Sequence, residues 1–127
     1  MIHYLDSSFI ISLILRDPRI DELAKQLSGT PFSSRLGHTE VIRSLTKFHP
    51  ESLTAGRALL KNIGIIPIDE EILQRVESYP SAITLKTADA IHIATAEALL
   101  DRGDSIVTLD KQMATNAELL GLAVITF

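Results

Sequence analysis

The chain has 127 residues, with twelve Lys and Arg against sixteen Asp and Glu, no cysteine, and hydrophobic side chains at 46% of positions. This composition excludes disulfide scaffolds, thiolate metal centres and cysteine nucleophiles, and it argues against disorder and fibrous repeats. The net charge of −4 weighs against broad adhesion to nucleic acid, although a bound divalent ion would change the local field. The length suits a single domain over 1–127 with one sizeable core.

In chain order, Ile2 to Leu5 reads as a short apolar strand, and Ser7 or Ser8 is placed to cap a helix over 9–15. Asp6 interrupts this apolar stretch, no basic region precedes it and no small-residue cleavage site closes it, so it does not read as a signal peptide. The helix is also far shorter than the roughly 20 residues a membrane span needs. The expectation is a cytoplasmic protein with no membrane partner. Asp17-Pro18 breaks the first helix, and Pro18 opens a second through Ile20, Leu23, Ala24 and Leu27, closed by Ser28-Gly29. A second strand follows over 30–33.

Val41, Leu45 and Phe48 recur at helical spacing over 36–48, with Glu40 early in that helix and His49-Pro50 at its end. A helix over 51–63 is expected to stop at Gly64 in a C-cap role, before a brief strand over 65–68 and a helix capped by Asp69. Past the loop at 78–81, Lys86-Thr87 leads into an alanine-rich helix over 88–100, apolar on most sides and therefore central, with Asp89 in its first turn. Arg102-Gly103-Asp104 turns into a strand over 105–109, Asp110 caps a helix over 111–120, and 122–125 supplies a last strand. Short apolar strands alternating with helices predict an α/β fold around a parallel sheet.

In such sheets the ligand crevice lies beyond the C-terminal ends of the strands. Asp6 and Asp110 are placed at such ends, and the opening helical turns that carry Glu40 and Asp89 face the same edge. Four carboxylates there would repel one another unless protonated or neutralised by a cation. The hard, oxygen-seeking ions Mg²⁺ or Mn²⁺ fit. Singly, Asp89 and Asp110 are ordinary residues for a helix N-terminus, Asp6 suits an Asx-turn, and Glu40 suits a solvated helix face. Only the set of four points to a metal.

His92, one turn after Asp89, reads as a satisfied core histidine, and His3, His38 and His49 have no ligand spacing. Ser34-Arg35, Arg43, Lys47, Lys86 and Lys111 are candidates for positioning phosphate, though each cation taken alone is ordinary surface charge. A phosphatase of the haloacid-dehalogenase type needs a second acid two residues after the first, where Ser8 stands. A receiver-type switch needs a phosphorylatable Asp ending a middle strand, where only Asp69 at a helix start is found.

YLDSSFII, SSRLGHTEVIRSL, KTADAIHIATA and IVTLD, in this order and at these intervals, resemble the PIN-domain ribonucleases, most closely the VapC toxins of type II toxin-antitoxin modules. The resemblance covers essentially the whole chain, and ADAIHIATA is its most specific segment. It implies a three-layer α/β/α sandwich with a central parallel sheet, a homodimer, and hydrolysis of RNA phosphodiester bonds at a divalent-metal site formed by Asp6, Glu40, Asp89 and Asp110. Asp6 and Asp89 are expected to make the most direct metal contacts. Thr108 and Ser7 match supporting hydroxyl and small polar positions. Some members carry a further acid shortly after the fourth, where this chain has Gln112 and, beyond it, Asn116, which leaves a second metal position in question.

The resemblance also implies a VapB-like antitoxin whose C-terminal segment wraps the toxin and sends a basic side chain into the acidic pocket. Phe9, Ile10, Leu13 and Ile14 would form its groove, the dimer face or simply core. The competing reading is a PIN fold that grips RNA or protein with little catalytic power, and the presence of all four acids counts against it.

Overall fold

The computed structural model describes residues 1–126. Its centre is an all-parallel sheet of five strands in the order β3-β2-β1-β4-β5, with β1 (Ile2–Leu5), β2 (Thr30–Ser34), β3 (Gly64–Ile66), β4 (Ser105–Val107) and β5 (Val124–Ile125). β1 lies at the middle, pairing Tyr4 with Phe32 of β2 on one side and with Ile106 of β4 on the other. Alternation along the strands sends side chains into two separate cores. Leu5 and Val107 join Phe9, Ile10, Ile14, Val41, Leu45 and Leu60 on one face. Tyr4 and Ile106 join Ile93, Ala96, Met113 and Ala117 on the other.

The first face is covered by α1 (Ser7–Ile14), α2 (Pro18–Ala24), α3 (Arg35–Phe48) and α4 (Leu53–Leu60), and the second by α5 (Glu70–Glu77), α6 (Thr87–Leu99) and α7 (Lys111–Leu119). This is the three-layer α/β/α arrangement. Seven successive residues of α6, Ala90 to Ala96, are buried, as its apolar perimeter predicts for a helix packed on every side. Among the described residues no helix is long and apolar enough to cross a membrane.

Three local expectations are corrected. The cap of α1 is Asp6 and not Ser7 or Ser8, because the Asp6 carboxylate accepts the Phe9 N–H one turn ahead at 3.0 Å. Gly64 opens β3 and does not end a helix: it pairs with Phe32, whose ring lies where a Cβ would project, so only glycine lets the two strands meet there. The helix expected over 51–63 begins as a 3₁₀ turn at Pro50–Ser52, and its α-helical part stops at Leu60.

Candidate active site

In the strand order 3-2-1-4-5 the chain leaves β1 toward one side and β4 toward the other, so the crevice opens between the C-terminal ends of these two strands. Asp6 immediately follows β1, and Thr108 immediately follows β4. The Asp6 N–H donates to the Val107 carbonyl at 3.2 Å, which extends the ladder into the site. One Asp6 oxygen accepts the Phe9 N–H at 3.0 Å and the Ser8 hydroxyl at 2.9 Å, and the other accepts the Thr108 hydroxyl at 2.5 Å. Thr108 Oγ1 in turn accepts the Asp110 N–H at 3.0 Å, so the first and fourth acids are joined through one hydroxyl. Asp6 is only 3% exposed, and burial lifts its carboxyl above the usual range although these three donors pull it down.

Glu40 is fixed from a different direction. The Ser34 N–H donates to the Tyr4 hydroxyl at 3.2 Å, Tyr4 Oη lies 2.6 Å from His92 Nδ1, and His92 Nε2 lies 2.5 Å from Glu40 Oε1. A Tyr4 hydroxyl that accepts from Ser34 is free to donate to Nδ1, and Nε2–H then donates to Glu40. Three elements, β1, α6 and α3, are thereby tied to one carboxylate. Gly37 permits the approach of α3, since a Cβ there would come within 2.5 Å of Ser33 Oγ and 3.1 Å of His92 Cε1. His92 is 1% exposed with both ring nitrogens engaged, so it is a core histidine with satisfied bonds, and it orients Glu40 without offering itself as a ligand.

Asp89 stands in the first turn of α6, and among the described residues no donor hydrogen-bonds its carboxylate. Burial raises its carboxyl above the usual range, Asp110 raises it further, and Glu40 and Asp6 add smaller amounts against the opposing influence of His92. Asp110 caps α7, its Oδ1 accepting the N–H groups of Gln112 at 2.8 Å and Met113 at 3.1 Å. Asp110, Glu40 and Asp6 thus sit within electrostatic reach of Asp89. Among the described residues, no three His, Cys, Asp or Glu side chains are set to hold an ion as they stand. The donor set nevertheless suits a hard cation chemically: it is all carboxylate, mutually repelling, and contains no imidazole or thiolate competitor.

Three residues beside the acids lie outside the expected set. Ser8, not Ser7, bonds Asp6. Tyr4 and His92, which hold Glu40, were outside the expected site. The sequence carried a signal for Ser8 and His92: a hydroxyl two residues beyond the first acid, and a histidine one helical turn beyond the third.

A family model described as the PIN domain matches residues 3–119. Ribonuclease VapC46 of Mycobacterium tuberculosis is 37% identical over 125 residues, covering 96% of this chain and 95% of that protein. The VapBC-1 structure from nontypeable Haemophilus influenzae superposes with a TM-score of 0.73 at 17% identity, over 99% of this chain and 98% of its own. A toxin-antitoxin complex from Klebsiella pneumoniae gives a TM-score of 0.73 at 23% identity, over 88% and 90% of the two chains.

Proposed function

The chain belongs to the PIN-domain family, on its VapC-type ribonuclease branch, and from that premise we propose that it hydrolyses RNA phosphodiester bonds with a divalent cation held by Asp6, Glu40, Asp89 and Asp110. The observation that carries the reading is that Asp89, whose carboxylate no described residue hydrogen-bonds, has three other acids, Asp110, Glu40 and Asp6, among its charged neighbours, opposed by His92 alone among the described residues. Four carboxylates gathered at the end of an apolar sheet oppose folding unless a positive charge joins them.

Each side chain has a separable task. Asp6 is locked by Thr108, Ser8 and the Phe9 N–H, so it presents one fixed anionic group at the crevice floor. Glu40 is steered through Oε1 by His92 and keeps Oε2 for the reaction centre. Asp89 carries the unrelieved repulsion and gains most from a cation. Asp110, anchored by Oδ1 to the first turn of α7, closes the set. When bound, Mg²⁺ or Mn²⁺ supplies the positive charge that polarises the phosphoryl oxygens and activates water for attack at phosphorus.

The same acidity defines a route to inhibition. A guanidinium from a VapB-like antitoxin would pair with two of these carboxylates in place of the cation, and the structural kinship to VapBC-1 supports such a partner. A homodimer completes the proposed assembly. The test is degradation of single-stranded RNA by the purified protein. Cleavage that stops in EDTA, returns with Mg²⁺ or Mn²⁺ and is absent from Asp6→Asn is expected; cleavage by Asp6→Asn equal to the wild type removes the assignment.

A further inference from the structure

A cleft of about 520 Å³ lies between α3, α4 and the edge strand β3, and Thr39, the neighbour of Glu40 on α3, lines it. Arg35 and Arg43 of α3, Arg57 of α4 and Lys61 just after it stand around this opening, over a wall formed by Ile42, Leu60 and Ile65. None of the four cations forms an ion pair with a described residue, whereas Arg16, Arg19, Lys25 and Arg75 all do. The charge is segregated along the chain as well: residues 35–61 hold five Lys or Arg against two acids, while the remainder holds seven against fourteen. A protein of net charge −4 has therefore collected unpaired cations on one flank.

A second feature of the same cleft points to a ligand. His38 lines it, is only 5% exposed, and its Nε2 is buried without a partner. A buried polar atom left unsatisfied in the free protein is relieved by a group that can donate or accept. The cleft adjoins the proposed site through α3 itself, because Glu40 lies three residues before Arg43, about 60° round the helix.

We propose that this cleft, lined by Arg35, Arg43, Arg57, Lys61 and His38, is the track that binds the sugar-phosphate backbone of single-stranded RNA leading into the active site. The proposal rests on the ribonuclease reading and names where its substrate lies. Cations with free guanidinium and ammonium groups suit phosphate oxygens. The apolar wall suits ribose and base faces, and a 2′-hydroxyl can donate or accept, so it matches His38 Nε2 in either tautomer. A basic antitoxin segment is repelled from this flank, and a second copy meeting it about a two-fold axis would bring like charges together.

The test uses the full chain carrying Asp89→Asn, which removes cleavage, and a fluorescent single-stranded RNA whose anisotropy is followed across salt concentrations. Adding R57Q/K61Q, two exposed positions, is expected to weaken binding roughly tenfold. It should also lower the slope of log affinity against log salt by about 1.4, at about 0.7 per phosphate contact on single strands. R57K/K61R should restore both, and R19Q/K25Q, on α2 and at its C-cap, should change neither. In the otherwise wild-type chain the effect of R57Q/K61Q should fall on KM rather than kcat. Unchanged affinity and slope in R57Q/K61Q overturn the proposal, as does a shift in oligomeric state with RNA affinity intact, which would make the cleft a protein contact. Neither result touches the ribonuclease reading, which fails only if metal-dependent cleavage itself is absent from the wild type.

Discussion

At the N-terminal edge of the sheet, Asp104 accepts the N–H groups of Asp101 at 2.9 Å and Ile2 at 2.8 Å, and these bonds hold its carboxyl below the usual range. At the C-terminal edge, one short strand away, burial holds Asp6 and Asp89 above that range. The same residue type is thus held toward its ionised form by backbone donors at one edge and pushed toward its neutral form by burial at the other. Donors decide which. Asp104 meets two backbone N–H groups at low burial, Asp6 meets three donors that do not offset its burial, and Asp89 meets mainly other acids. The proposed chemistry lies where the strands end, the edge at which buried carboxylates lack full compensation.

The most severe way to break this contrast is Asp89→Asn. Cleavage should fall on the order of 10³-fold, the scale of losing one directly acting polar group in an active site, as read by single-turnover degradation of a labelled RNA. The metal-free protein should at the same time melt about 2 °C higher, because a repelled charge is gone. Next in size is His92→Phe, which keeps an aromatic ring but removes the links from Tyr4 to Glu40. Activity should drop by about 10–100-fold, and denaturant titration should show a loss of about 1–3 kcal/mol from polar groups left without partners.

Thr108→Val strips Asp6 of one donor and the Asp110 N–H of its acceptor, with an expected activity loss of about tenfold by the same assay.

The smallest effects sharpen the contrast through pH. The Asp104 carboxyl is depressed in the fold, so its contribution is full above the unfolded value of 3.8 and is lost as pH falls below it. Asp104→Asn should therefore melt slightly lower than the wild type at neutral pH, and that gap should close only below pH 3.8. The Asp89 carboxyl is raised, so it favours the fold only when protonated, and this advantage is lost as pH rises above 3.8 through its folded value. The higher melting point of Asp89→Asn should accordingly shrink as pH falls toward 3.8 from above. Thermal scans from pH 3 to pH 7 read both gaps, which have opposite signs and close in windows on opposite sides of one pH.

The acids at the strand ends were readable because strand and helix boundaries are local: Asp6 and Asp110 punctuate apolar runs, and period and breakers placed every helix near its observed position. Gly64 misled because glycine after an apolar helical run looks like a C-cap, and only the Phe32 ring from a neighbouring strand shows why it sits in β3. The support of Glu40 was hidden for a related reason. Tyr4, His92 and Glu40 come from β1, α6 and α3, and no local pattern announces a hydrogen bond between residues 88 or 52 positions apart. Arg57 and Lys61 read in the sequence as ordinary solvated charge, because only packing brings them beside Arg35 and Arg43.

The central claim is that repulsion among Asp6, Glu40, Asp89 and Asp110 is relieved by one hard cation. Calorimetric titration of Mn²⁺ into EDTA-stripped protein tests it most directly. Saturable uptake by the wild type that is abolished in Asp89→Asn is the predicted result; no uptake by the wild type, or equal uptake by the two proteins, would contradict it.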